Sequence, residues 1–128
     1  MTAILDDVRA RLIAAGLVEG ATGWVCRLAL MPEDPDQVVA LFDGVGLPPD
    51  VVNTIDMAGM QVRVRAAADD YAVARAKIDA IMTTLNGQES AIGAGYVYVN
   101  AAASVLPLGR DIRSRPELVI NFNIMRTA

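Results

Sequence analysis

Apolar residues near the start of the chain recur every three to four positions. Ile4, Leu5, Val8 and Leu12 line up, with Asp6, Asp7, Arg9 and Arg11 on the other side. This spacing predicts a helix with one buried stripe, capped by Thr2 and stopped at Gly16. The period then shortens to two. In Trp24-Val25-Cys26-Arg27-Leu28-Ala29-Leu30, Trp24, Cys26, Leu28 and Leu30 share one face of a predicted strand. Pro32-Glu33-Asp34-Pro35-Asp36 has turn chemistry, and Val38 to Phe42 resumes as a strand, so the two strands read as a hairpin. Met60-Gln61-Val62-Arg63-Val64-Arg65 alternates cleanly, with Met60, Val62 and Val64 inward and Gln61, Arg63 and Arg65 outward.

A second helix follows. Asp69 or Asp70 stands at its start, Ala74, Ile78, Ile81, Met82 and Leu85 form its stripe, and Asn86-Gly87 ends it. Strands are predicted from Tyr96 to about Ser104 and over Leu118–Ile124, the latter with Leu118, Ile120, Phe122 and Ile124 toward the core. Asp43 to Gly59, with Gly44, Gly46, Pro48 and Pro49, reads as a long loop able to order on assembly. The order is α-β-β-β-α-β-β. It implies an α+β class: one domain over residues 1–128, with a mixed sheet of about five strands flanked by two helices.

Composition sharpens this picture. At 128 residues the chain has room for one ordinary core. Hydrophobic residues make up 54% and mean hydropathy is +0.38, so either alanine (21 residues) fills much of that area or neighbouring subunits cover some of it. Ser90 to Gly109 is uncharged and nearly long enough to span a membrane. Its glycines, Pro107 and the alternation Tyr96-Val97-Tyr98-Val99 read instead as a loop and a strand. The N-terminus lacks the basic segment and apolar run of a signal peptide.

The net charge of −4 argues against a dedicated DNA-binding domain. Residues 1–59 carry nine acids against Arg9, Arg11 and Arg27, a net of −6, whereas residues 60–128 carry +2. Unlike sides of this kind can stack on copies of the same chain.

Candidate chemistry is sparse. The chain has no histidine, the commonest general base and metal ligand. Cys26 is the single cysteine and alternates with core residues, so it reads as a small apolar side chain. Glu33, Asp34 and Asp36 cluster without the spacing of a calcium loop, and the Gly44-x-Gly46 and Gly93-x-Gly95 pairs lack the rest of a nucleotide-binding turn. We therefore expect no catalytic residues, no cofactor, no metal and no enzymatic activity. Arg63 and Arg65 on a strand, and Arg110, Arg113 and Arg115 before the last strand, suit salt bridges across a subunit interface.

Several segments together resemble a known family. They are Pro35-Asp36-Gln37-Val38-Val39-Ala40-Leu41-Phe42-Asp43, then Gln61-Val62-Arg63-Val64-Arg65, the Tyr71–Leu85 helix ending in Asn86-Gly87, and the closing loop and strand from Gly109-Arg110 through Arg115-Pro116-Glu117-Leu118-Val119-Ile120-Asn121-Phe122-Asn123-Ile124. In order and spacing they resemble the minor capsid or tail terminator proteins of long-tailed bacteriophages, also found in gene transfer agents. The resemblance implies a structural virion protein made in the host cytoplasm. It forms a homo-oligomeric ring, typically a hexamer, that caps the tail tube and offers a head-docking surface. Its partners would be the tube protein and the neck or head-completion proteins, with DNA passing through unbound and no membrane involved. The expected interface is Arg63, Arg65, Arg110, Arg113 and Arg115 with Val51, Val52, Ile55 and Met57 of the long loop. Another neck or head-closure component, or a small non-viral ligand-binding or regulatory domain, are the alternatives; a large apolar pocket would favour the last.

Overall fold

The computed structural model describes residues 4–44, 55–92 and 95–127. Helix α1 (Ile4–Ala14) buries Leu5, Val8 and Leu12, as its period predicts. It ends where Gly16 takes φ +73° and the Leu17 N–H donates back to the Leu12 carbonyl. Thr2 lies outside the described residues. Helix α2 (Tyr71–Leu85) buries Ala74, Ile78, Ile81 and Leu85 and ends at Asn86, with Gly87 at φ +73°. Neither expected aspartate caps α2 through its side chain: Asp70 makes no capping bond, and the Asp69 carboxylate instead accepts from Arg110.

Among the described residues seven strands form one sheet: β1 (Val25–Leu28), β2 (Val38–Gly44), β3 (Ile55–Arg65), β4 (Gln88–Ile92), β5 (Gly95–Ala101), β6 (Leu106–Arg110) and β7 (Pro116–Thr127). The order is β1-β2-β3-β7-β5-β4, with β6 also paired to β7. Strand β7 is the axis. Its whole length pairs antiparallel with β3, from Ile55 opposite Thr127 to Arg65 opposite Glu117. Its other edge is shared, β5 taking residues 122–126 and β6 taking 116–119. The α+β class stands, with seven strands in place of about five. The two extra strands, β4 and β6, lie in stretches whose Gly, Pro and mixed polarity mask a period of two.

The largest departure concerns β1 and β2. They pair in parallel, Val25 opposite Val38 through Leu28 opposite Leu41, so the expected hairpin is absent. Parallel neighbours need a return connection. Ala29, at φ +58°, turns the chain at once, and residues 29–37 run back to the start of β2. This early turn also explains Leu30, expected inward but 56% exposed. The long loop was expected over Asp43–Gly59; Asp43 and Gly44 belong to β2 and Ile55–Gly59 to β3, and the rest lies outside the described residues.

Both helices pack on one sheet face, against Val39 and Leu41 of β2, Met60, Val62 and Val64 of β3, and Leu118, Ile120, Phe122 and Ile124 of β7. All are essentially fully buried. Each large aliphatic or aromatic side chain in this layer contributes about 1.5–3 kcal/mol relative to exposure.

Candidate functional site

The opposite, helix-free face is read from cross-strand register, because directly opposed residues share a face. Successive rows run Val38–Arg65–Glu117, Ala40–Arg63–Val119–Leu106, Phe42–Gln61–Asn121, and Gly44–Gly59–Asn123–Asn100. The first row is sealed; in the second Ala40 and Val119 are buried while Arg63 and Leu106 reach the surface, and the last two rows are open.

Arginine builds the sealed end. Arg65, expected outward, is only 3% exposed. Its guanidinium donates to the carbonyls of Pro35 (2.7 Å), Asp36 (3.1 Å) and Glu33 (3.3 Å). Because the Arg65 side chain stands on the helix-free face, the return from β1 to β2 must cross that face. Arg115, expected in an exposed basic loop, is 4% exposed. It donates to the Glu33 carbonyl at 2.6 Å, to Asp111 Oδ2 at 2.8 Å and to Asp36 Oδ1 at 3.2 Å. The acidic turn is therefore a guanidinium receptor, since five peptide or carboxylate oxygens of residues 33–36 and 111 converge on two buried arginines. The planar fork of arginine suits such multiple acceptance.

Asp111 organises the turn before β7. Its Oδ1 accepts the N–H groups of Arg113 and Arg115, both at 3.0 Å. Burial pushes this carboxyl upward, but the N–H and guanidinium of Arg115 and the N–H of Arg113 outweigh it and hold the group below its ordinary value of 3.8. Asp111 was missed in the sequence; its one signal is the four-residue spacing to Arg115. Arg113 reaches Glu33 (3.0 Å) and Asp34 (3.2 Å) and Arg110 reaches Asp69, all well exposed, so these pairs contribute little to stability.

The open end is different chemically. Arg63 donates from Nε to Gln61 Oε1 at 2.9 Å, and its guanidinium lies 5.4 Å from the centre of the Phe42 ring. Gln61 donates weakly to Asn121 Oδ1 at 3.4 Å. A groove of about 590 Å³ runs alongside, lined by Gly44, Gly59, Gln61, Ala102, Asn121 and Asn123 among others. It is amide-rich, not a large apolar pocket. Beside it, β6 and the following turn expose Leu106, Leu108 and Ile112. Ile55 and Met57 fall at the start of β3, and Val51 and Val52 lie outside the described residues.

Reactive groups elsewhere are quiet. Burial pushes the Cys26 thiol up to about 11, so it stays protonated near neutrality. Its backbone N–H donates at 2.8 Å to Glu19, which also faces Arg9 and Arg27. That N–H is the main cause holding the Glu19 carboxyl below 4.5. Among the described residues, no group of three or more His, Cys, Asp or Glu is placed to hold a metal ion. No helix among them is long and apolar enough to cross a membrane.

No curated protein matches the sequence. Among solved structures, a chain from a virion of a native gene transfer agent particle superposes with a TM-score of 0.76 at 16% identity, covering 98% of this chain and 96% of that one. At that identity the likeness is one of fold. The family profile described as "Bacteriophage tail terminator protein" matches residues 11–127, from the last turn of α1 to the end of β7. The match takes in both the guanidinium corner and the open face, and this chain belongs to the bacteriophage tail terminator family.

Proposed function

We propose that the chain is the subunit of a homo-oligomeric ring, a hexamer, that closes the end of a tail tube and presents a docking surface to neck or head-completion proteins. DNA passes through this ring without specific binding, and the subunit carries out no chemistry. The family match over residues 11–127 carries the reading. The domain's shape supports it: one sheet face is covered by helices, while the other is half open and flanked by the exposed apolar arm of β6. Exposed apolar area of this kind marks interaction surfaces. The absence of histidine and the protonated Cys26 thiol support a purely structural role.

Within this reading the interface includes Arg63, Arg110 and Arg113 on the surface, together with Val51, Val52, Ile55 and Met57. Arg65 and Arg115 shape that surface from within the subunit. Native mass measurement of the purified protein, alone and bound to tail tubes, tests the proposal. Six copies per ring are expected at tube ends. Single copies in both settings would overturn it.

A further inference from the structure

Arg63 differs from five other arginines of the surface. Arg9, Arg27, Arg75, Arg110 and Arg113 each face a carboxylate of the same subunit. Among the described residues Arg63 has only the neutral partners Gln61 and Phe42, which orient its guanidinium without neutralising it. The rows beside it hold Gln61, Asn121, Asn123 and Phe42, so this end of the face is apolar, amide and cationic. No carboxylate among the described residues neutralises Arg63, and one from a neighbouring copy would.

We propose that the open end of the helix-free face receives the outer surface of helix α1 from the next copy, a docking mode that rests on the ring reading above. Asp6 of α1 meets Arg63, and Ala10 and Ile13 meet Phe42 and Leu106. Asp6, Ala10 and Ile13 sit at i, i+4 and i+7, so they form one stripe on the helix. All three are exposed, Ile13 at 40%. Asp6 pairs with no group of its own subunit among the described residues, whereas Arg9 on the same helix is held by Glu19.

Charge selects the geometry and the occupant. Two copies of the Arg63 face set against each other would bring cation onto cation, which disfavours a two-fold contact and favours a head-to-tail one. A head-to-tail contact is the kind that closes into a ring. Each copy carries a net charge of −4, so a second copy supplies carboxylates, while DNA would meet net repulsion.

The test is a charge reversal. Arg63→Glu and Asp6→Arg are made singly and together, and assembly is read by native mass and sedimentation, with urea unfolding to confirm that each subunit folds. Each single change is expected to weaken assembly about tenfold or more, and the double variant to recover most of that loss. A second variant carries Ala10→Cys with Phe42→Cys; Cys26 is buried and does not compete. Oxidation of assembled protein should link neighbouring copies through these positions. Singles that assemble like wild type, a double no better than its weaker parent, or absence of the cross-link would each overturn the docking mode while leaving the ring intact. If Arg63→Glu spares assembly but changes the ring's retention of a DNA duplex, the face lines the DNA path and the proposal is wrong. Wild-type protein that stays single, alone and on tubes, overturns the ring reading itself.

Discussion

Arg63 and Arg65 stand two residues apart on one strand and point to the same sheet face, yet they live in different surroundings. Arg65 is buried under the acidic turn with three carbonyl oxygens on its guanidinium. Arg63 lies beyond the reach of that turn, beside an aromatic ring and an amide. The strand gives both the same direction; the crossing of residues 29–37 separates them. Burial of a cation therefore follows from what a distant segment lays over it, and a period of two in the sequence cannot show that. The sealed end is where stability is invested, and the open end is left to contacts beyond the subunit.

This contrast breaks most directly at Arg115. Arg115→Ala leaves the Glu33 carbonyl with only its longer bond from Arg65 and Asp111 without its guanidinium, so we expect a loss of about 2–3 kcal/mol in urea unfolding. A loss below about 0.5 kcal/mol would mean that the corner is as dispensable as the open face. Gly44 sharpens the open end. A Cβ there would come within 3.1 Å of the backbone of Gly59 and Met60, so Gly44→Ala should cost about 1–2 kcal/mol by prising β2 from β3. Unchanged stability would show that the strands can part without penalty.

Acid should act on Asp111 in the sealed corner and on Glu19 beside β1. Asp111 and Glu19 titrate below their ordinary values of 3.8 and 4.5, so their contribution is complete above those values and fades as the pH falls through the lowered ones. The melting temperature should drop below about pH 4, and Arg115→Ala should flatten that drop. An equally steep acid limb in the variant would assign the effect to other carboxylates. The smallest effect is expected at Arg63. Arg63→Gln removes an exposed cation–π contact and should cost less than about 1 kcal/mol of subunit stability. A larger loss would show that the open end is also a structural element.

Much of the architecture is legible in the chain. The stripes of α1 and α2, the inward sets on β3 and β7, and the α+β class follow from periods of 3.6 and 2, because burial on one side of a helix or strand demands them. Glycines 16 and 87 mark helix ends for a local reason: each takes a positive φ. The stretches read as loops, β4 and β6, are strands by virtue of their partners. Strand β6 has all five residues exposed and is held by its pairing with β7.

At the site itself, the chain announced its arginines and its acidic turn but not that they meet. Glu33 and Arg115 are 82 residues apart, and only the parallel pairing of β1 with β2 carries the turn across the sheet to the corner where β7 begins. Turn chemistry at Pro32–Asp36 fits a hairpin and a return crossing equally well, since both reverse the chain. Local pattern thus set most of the residues that go inward, and composition the lack of histidine and the unequal charge of the two halves. Long-range pairing decided which charges neutralise one another and that Arg63 has no carboxylate among the described residues. Register and crossover depend on contacts between distant segments, and no local stretch of sequence encodes them.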